Sequence, residues 1–330
     1  MKAVICRELG PPSALRVEEV PDPRPLAGQV LVRVEAAGVN FPDTLIIQGR
    51  YQHKPALPFT PGAEVCGVVE ALGEGVEGLA VGTRVAAAIT HGGFAERVAF
   101  DATKAVAVPD GVSSEDAAAL CLAYGTVLHG LEDRGALRAG ETLLVLGASG
   151  GVGMAAIQIG KLVGARVLAA ASSAEKLEAC REAGADGLID YSAEGWRETV
   201  RALTEGRGPD VVFDPVGGPY TEPALRSIGW RGRYLVVGFA AGEIPRIPLN
   251  LVLLKNCAVT GVLYGEFTRR EPEANRAMLA RLFGWVASGR LQPAVSQRFP
   301  LERAAEALEV LGARRATGKL VLVTHAGAPG

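Results

Sequence analysis

The stretch from Thr142 to Val237 constrains the fold more than any other part of the chain. Thr142-Leu143-Leu144-Val145-Leu146 is an uninterrupted apolar run of strand length. A glycine-rich turn follows at Gly147–Gly153, and Met154–Val163 reads as a helix. The alternation then repeats: strand Arg166–Ala171, helix near Glu175–Ala183, strand Leu188–Asp190, helix Glu194–Leu203, strand Val211–Phe213, helix around Thr221–Ile228, strand Arg233–Val237. Short apolar strands alternating with helices of about ten residues define βαβ units and a parallel sheet. The reading is α/β, a doubly wound (Rossmann) nucleotide domain. One more strand, Ala258–Leu263, is expected to close it.

The flanks have another rhythm. Up to about Ala118 the runs Val30–Val34, Val65–Val69 and Arg84–Ala88 are short, apolar and punctuated by Pro and Gly, as in a compact β-rich domain. Near the other end, Arg276–Val286 reads as a helix. Leu301, Ala304, Ala305, Leu308 and Leu311 keep helical spacing, and Lys319–Val323 is a strand. This tail is too small to fold alone. The expected division is therefore 1–118 with 266–330 as one domain and 119–265 as the nucleotide domain. Ala326–Gly330 is expected to fray.

Composition excludes several classes. Of 330 residues, 48% are apolar and 21% charged, enough to build sizeable cores. A net charge of -2 offers no broad field for nucleic acid or anionic lipid. No apolar run approaches the roughly 20 residues that span a bilayer, and the amino terminus has no signal-peptide pattern. Cys6, Cys66, Cys121, Cys180 and Cys257 are scattered singly, with no Cys-x-x-Cys, so neither a disulfide framework nor a zinc knuckle is indicated. A cytoplasmic setting fits this usage.

The turn Gly147-Ala148-Ser149-Gly150-Gly151-Val152-Gly153 follows a strand and opens a helix, the context that makes a glycine motif informative. Amides at a helix amino terminus are unpaired and carry partial positive charge, so they can hold a pyrophosphate. Gly150 and Gly153 fit the second and third glycines of the dinucleotide fingerprint, while Ala148 departs from it at the first. The alternative is a tight structural turn, which the surrounding βαβ array disfavours. An NAD site usually ends its second strand with an acid, about 20 residues on, that grips the ribose 2′-hydroxyl. Here the strand ends Ala170-Ala171-Ser172-Ser173, and Lys176 follows. Hydroxyls and a lysine can receive a 2′-phosphate that an acid would repel, so the expected cofactor is NADPH.

These stretches, in this order, resemble the medium-chain dehydrogenase/reductase superfamily, and most closely its zinc-free quinone oxidoreductase branch, which includes zeta-crystallin. The likeness runs through Ala37–Asp43, Pro61-Gly62-Ala63-Glu64, Ala123-Tyr124-Gly125-Thr126, Ala148–Gly153, Phe213–Gly218 and Ala316-Thr317-Gly318-Lys319. It implies a β-rich, GroES-like catalytic domain beside the Rossmann domain. Zinc-dependent members carry a Cys where this chain has Asn40 and a His where it has Ala63; no Cys lies within Tyr124-Gly125-Thr126, although Cys121 is near. Catalytic zinc needs three protein ligands, so no metal is expected. His53, His91, His129 and His325 show no ligand spacing.

The resemblance also implies residue roles. Lys176 and Tyr191 match positions that contact the 2′-phosphate of NADPH. Val216, Gly217 and Phe239 join Ala148–Gly153, Ser172 and Ser173 in the expected cofactor set. Asn40 and Tyr51 match residues at the substrate end, where Leu45 replaces a frequent second tyrosine. A quinone or an activated alkene is already electron-poor, so hydride transfer to it leaves an oxyanion that a few donors can stabilise. Asn40 and Tyr51 are the candidate donors, and Thr126 the candidate for orienting nicotinamide or acceptor. Asp43 reads as structural. The expected activity is NADPH-dependent quinone reduction; the alternatives are reduction of an enal, enone or enoyl thioester, and an NADPH-binding protein with a structural or RNA-binding role. The near-neutral charge and absence of an RNA motif count against nucleic acid. Ala258–Leu263 looks like an exposed sheet edge, so a two-fold dimer through that edge is expected.

Overall fold

The structure is a computed structural model that describes residues 1–324, so the end segment Ala326–Gly330 lies outside the described residues. The chain divides into two compact units. One joins Met1–Ala123 to the chain from Arg270 onward; the other is Tyr124–Arg269.

The strands of the leading segment are β1 (Lys2–Ile5), β2 (Arg16–Glu19), β3 (Gln29–Val39), β4 (Glu64–Leu72), β5 (Arg84–Ala88), β6 (Arg97–Asp101) and β7 (Val106–Ala107). The middle of the chain forms β8 (Thr142–Leu146), β9 (Arg166–Ala171), β10 (Gly187–Asp190), β11 (Val211–Asp214), β12 (Arg233–Val236) and β13 (Ala258–Gly261). The tail adds β14 (Val295–Pro300) and β15 (Lys319–Val323).

In the first unit, β3 is the organising strand. Its Val30, Val32 and Val34 alternate inward and are fully buried, the period-two pattern of a strand with one face on a core. It pairs antiparallel with β4, β6 and β15, and the sheet runs β14-β15-β3-β4-β5-β7. The tail therefore completes the sheet begun by the first hundred residues. Register brings three strand ends together: Leu320 lies opposite Val39, and Ala37 opposite Val65. Lys319, Asn40 and Glu64 thus meet at one end of the sheet.

Two short helices interrupt this β-rich segment, Phe41–Ile46 and Ser114–Ala118. The first starts where Asp43 Oδ2 accepts the Asn40 N–H at 2.8 Å, with Pro42 in its first turn, where a missing N–H costs nothing. The second is capped by Ser113, whose hydroxyl accepts the Asp116 N–H.

The second unit is a six-stranded, wholly parallel sheet in the order β10-β9-β8-β11-β12-β13. By chain position this is 3-2-1-4-5-6, the doubly wound arrangement, whose crevice lies at the carboxyl ends of the strands beside the first one. Leu143–Leu146, Val167–Ala170 and Val211–Phe213 are buried completely, as expected of strands covered on both faces. Helices Gly151–Val163, Ala174–Glu182, Trp196–Leu203, Thr221–Ser227 and Leu249–Lys255 supply that cover. Among the described residues no helix is long and apolar enough to cross a membrane.

Candidate active site

The phosphate-binding turn leaves β8 at Leu146. Gly147 is left-handed at φ 58°, and a side chain there would press on Val216 Cγ2 at 2.7 Å. The Ala148 N–H returns to the Ala170 carbonyl at 3.0 Å, which ties the turn to β9, and Ala148 is not in the left-handed region, so the first glycine position can carry a Cβ. Gly150 caps the 13-residue helix Gly151–Val163. A Cβ on Gly153 would sit 2.4 Å from the Gly147 carbonyl oxygen, so only glycine lets the helix approach the turn this closely. The first amides of that helix have no intrahelical acceptor, and no acid stands in its first turn to compete with an anion.

At the carboxyl end of β9, Ser173 caps helix Ala174–Glu182, its hydroxyl accepting the Lys176 N–H at 3.3 Å. The Lys176 ammonium reaches the Ser172 hydroxyl at 3.4 Å. Tyr191, just past β10, bonds through its N–H to the Ala171 carbonyl, and its ring packs 4.4 Å from that of Tyr220. Ser172, Ser173, Lys176 and Tyr191 are thus gathered at the ends of two neighbouring strands. On the other side of β8, Gly217 (φ 68°) approaches Phe239 so closely that a Cβ would lie 2.8 Å from its ring. Two half-sites therefore flank the turn, one polar and basic, one apolar. Thr126 stands in the same unit, half-buried on helix Gly125–Leu128. These residues and strand ends fit an NADP-type dinucleotide.

In the first unit, Asn40 is 7% exposed and its side chain is occupied. Its Nδ2 donates to Glu64 Oε2 at 3.0 Å and to the Gly38 carbonyl at 3.2 Å, and its Oδ1 accepts from Lys319 Nζ at 2.6 Å. Lys319 Nζ also donates to Glu64 Oε2 at 3.0 Å, and Glu64 Oε1 accepts the Leu122 N–H at 2.6 Å. Glu64 and Lys319 are buried, so this is an ion pair inside the core. With both amide hydrogens committed, Asn40 has no free donor for an oxyanion in this arrangement. Sequence reasoning missed Glu64 and Lys319 as a unit. The available signal was a charged residue opening each of two strands, Glu64-Val65-Cys66 and Lys319-Leu320-Val321.

Asp43 lies beside this pair, also buried. Burial pushes its carboxyl up to about 7, against the lowering pull of the Asn40 N–H and the Lys319 ammonium. Tyr51 is half-buried on the same core, and its hydroxyl is held above the usual tyrosine range, by burial first and then by the charge of Asp43. A protonated phenol that stays protonated is a hydrogen-bond donor.

The same geometry tests a catalytic zinc. Asn40 is engaged by Glu64, Lys319 and Gly38, and Ala63 has no side-chain donor atom. Among the described residues no group of three or more His, Cys, Asp or Glu could hold a metal ion. Asn40 and Ala63 therefore do not supply two of the three protein ligands that a catalytic zinc needs.

Comparison with known proteins gives two family matches. Residues 26–110 match the family described as alcohol dehydrogenase GroES-like domain, and residues 151–282 that described as zinc-binding dehydrogenase. The chain is 38% identical to the quinone oxidoreductase-like protein 2 homolog of Nematostella vectensis, over 98% of this chain and 89% of that protein. The structure of Escherichia coli quinone oxidoreductase complexed with NADPH superposes with a TM-score of 0.92 at 30% identity, covering 98% of this chain and 100% of that one. A mycocerosic acid synthase-like polyketide synthase of Mycobacterium tuberculosis is 33% identical over 92% of this chain, which spans 14% of the synthase.

The Asp43 shift has a measurable sign. Its folded-state value lies above the ordinary 3.8, so the stability it contributes is complete below about pH 4 and is lost as pH rises through about 7. The total is on the order of 4 kcal/mol for a fully buried acid. Asp43→Asn cannot ionise, so its melting temperature relative to the parent should rise between pH 4.5 and pH 8. A difference that stays flat across that range would count against a neutral Asp43.

Proposed function

The chain belongs to the quinone oxidoreductase branch of the medium-chain dehydrogenase/reductase superfamily, and from that premise we propose that this oxidoreductase reduces quinones with NADPH and without a metal. The observation that carries the cofactor is the gathering of Ser172, Ser173, Lys176 and Tyr191 where an NAD site would place an acid. The Escherichia coli relative, solved with NADPH, supports it. The first-turn amides of helix Gly151–Val163 would hold the pyrophosphate. Bound there, the cofactor supplies the hydride.

The protein's part is positioning and charge. Val216, Gly217 and Phe239 form an apolar wall at the ends of β11 and β12. Thr126 is assigned to orienting the nicotinamide or the acceptor. Tyr51 is the proposed donor to the acceptor oxygen, because a phenol held in its protonated form can stabilise a developing oxyanion and then release a proton to it. Asn40 is assigned a supporting part: it locks the Glu64–Lys319 pair and caps the helix that carries Asp43. Replacement of the zinc ligands leaves no Lewis acid for alcohol oxidation, which favours an acceptor that is already electron-poor.

A second reading is reduction of an enal, enone or enoyl thioester. It is favoured by Tyr51, a donor suited to protonating a reduced alkene, and by likeness to a segment of the polyketide synthase. Loss of NADPH absorbance should be followed with an ortho-quinone, a para-quinone and an enoyl thioester in parallel, with a chelator present. Quinone turnover that survives chelation is the expected result; turnover with the thioester alone would transfer the assignment to the second reading.

The chain is further proposed to form a two-fold dimer through β13. That strand ends the sheet, Val259 and Leu263 are exposed beside it, and Leu249, Leu253 and Leu254 are exposed on the preceding helix. An unpaired edge next to an apolar patch is ordinarily covered, here by a second copy. Light scattering at micromolar concentration should report twice the chain mass, and a monomer would end this assignment.

Two variants separate the roles. Lys176→Ala should raise KM for NADPH by about tenfold, the scale of one charge-assisted contact, and leave NADH within about twofold. Equal effects on both nucleotides would remove Lys176 from the phosphate site. Tyr51→Phe should lower kcat by about tenfold to a hundredfold with little change in NADPH affinity. Unchanged turnover would leave Tyr51 as a packing residue.

A further inference from the structure

Asp214 ends β11 as a carboxylate buried at 3% exposure, and all of its contacts are donors. Its Oδ1 accepts the N–H groups of Val216 and Gly217, both at 2.8 Å. Its Oδ2 accepts the Thr221 hydroxyl at 2.9 Å and the Tyr234 hydroxyl at 2.6 Å. A buried carboxylate is costly, and an amide could not accept four hydrogen bonds. What the four bonds achieve is the shape of the turn after β11.

That turn is joined to the loop after β12. The Asp214 carbonyl accepts the Val237 N–H at 2.9 Å, Pro215 that of Ala240 at 3.1 Å and Val216 that of Ala241 at 2.8 Å, while the Gly218 N–H reaches Glu243 O at 3.1 Å. The Val216 side chain lies against Gly147 of the phosphate turn, and Gly217 against Phe239. One carboxylate therefore sets two loops at the carboxyl ends of β11 and β12, and through Val216 their seat on the phosphate turn.

In a doubly wound sheet the dinucleotide crosses the strand ends, with its pyrophosphate over the first strand. Ser172, Lys176 and Tyr191 claim the β9 and β10 side for the adenosine half. The nicotinamide half must then lie over β11 and β12. We propose that Asp214, supported by Tyr234 and Thr221, is a positioning residue that fixes the nicotinamide half of the cofactor without touching it. This rests on the NADPH reading above.

The test separates the two halves of the ligand. Binding of NADPH and of adenosine 2′,5′-bisphosphate, which lacks the nicotinamide, should be measured for the parent, Asp214→Asn and Tyr234→Phe, together with kcat. Asp214→Asn should weaken NADPH by about tenfold and lower kcat, yet bind the bisphosphate within about twofold of the parent. Tyr234→Phe removes one of four donors and should shift both quantities in the same direction by less. Equal weakening of both ligands, or a folded Asp214→Asn that binds and turns over like the parent, would overturn the proposal. Should Asp214→Asn fail to fold, Tyr234→Phe and Thr221→Val decide: neither changing NADPH binding nor kcat overturns it. A parent chain that binds neither ligand would instead refute the NADPH reading, a result distinct from the others.

Discussion

The first unit depends on one ion pair inside its core. Glu64 and Lys319 lie 255 residues apart, yet they meet at 3.0 Å with almost no access to water. Each charge is compensated by several partners: Lys319 by Glu64 and Asn40, Glu64 by Lys319, Asn40 and the Leu122 N–H. Removing one member of such a pair generally costs about 3–5 kcal/mol, because the other is left charged and buried. The pair therefore contributes less as net stability than as a constraint. It admits one register of β15 on β3, and that register fixes where Asn40 and Asp43 stand.

The second unit solves a similar problem with a single sign of charge. Asp214 has no ion-pair partner among its contacts and relies on four neutral donors. The difference follows function. An ion pair holds strands together across the fold, whereas a carboxylate ringed by amides and hydroxyls can shape a short turn from within. Both are buried polar groups kept where an apolar residue would be cheaper, and both lie next to residues assigned to chemistry.

The nucleotide sheet was legible in the sequence almost residue by residue. Thr142–Leu146 and Arg166–Ala171 end where the apolar runs end, since a strand buried on both faces has to be apolar throughout. The last strand stops at Gly261, short of Leu263, because its pairing with β12 ends there. The other unit was less legible. β14, Val295-Ser296-Gln297-Arg298-Phe299-Pro300, is mostly polar and exposed and owes its existence to pairing with β15. Helix Phe41–Ile46 is too short to show a period. For the site, the glycine turn and Lys176 could be read locally. The engagement of Asn40 by Glu64 and Lys319 could not, because its partners lie 24 and 279 residues away and only the sheet register unites them.

Strand order has a consequence for the newly made chain. β3 waits for β15, the last strand of the described chain, before its final neighbour is in place. The parallel sheet is complete by β13, while the sheet that contains β3 still lacks an edge. During synthesis the nucleotide unit can therefore mature first, while the flanking unit would still have an open strand and a Glu64 that has Asn40 and the Leu122 N–H as partners but no counter-charge. Lys319 opens β15, so the strand that covers this edge also brings the counter-charge of Glu64, and a chain truncated before it would present an unfinished strand edge.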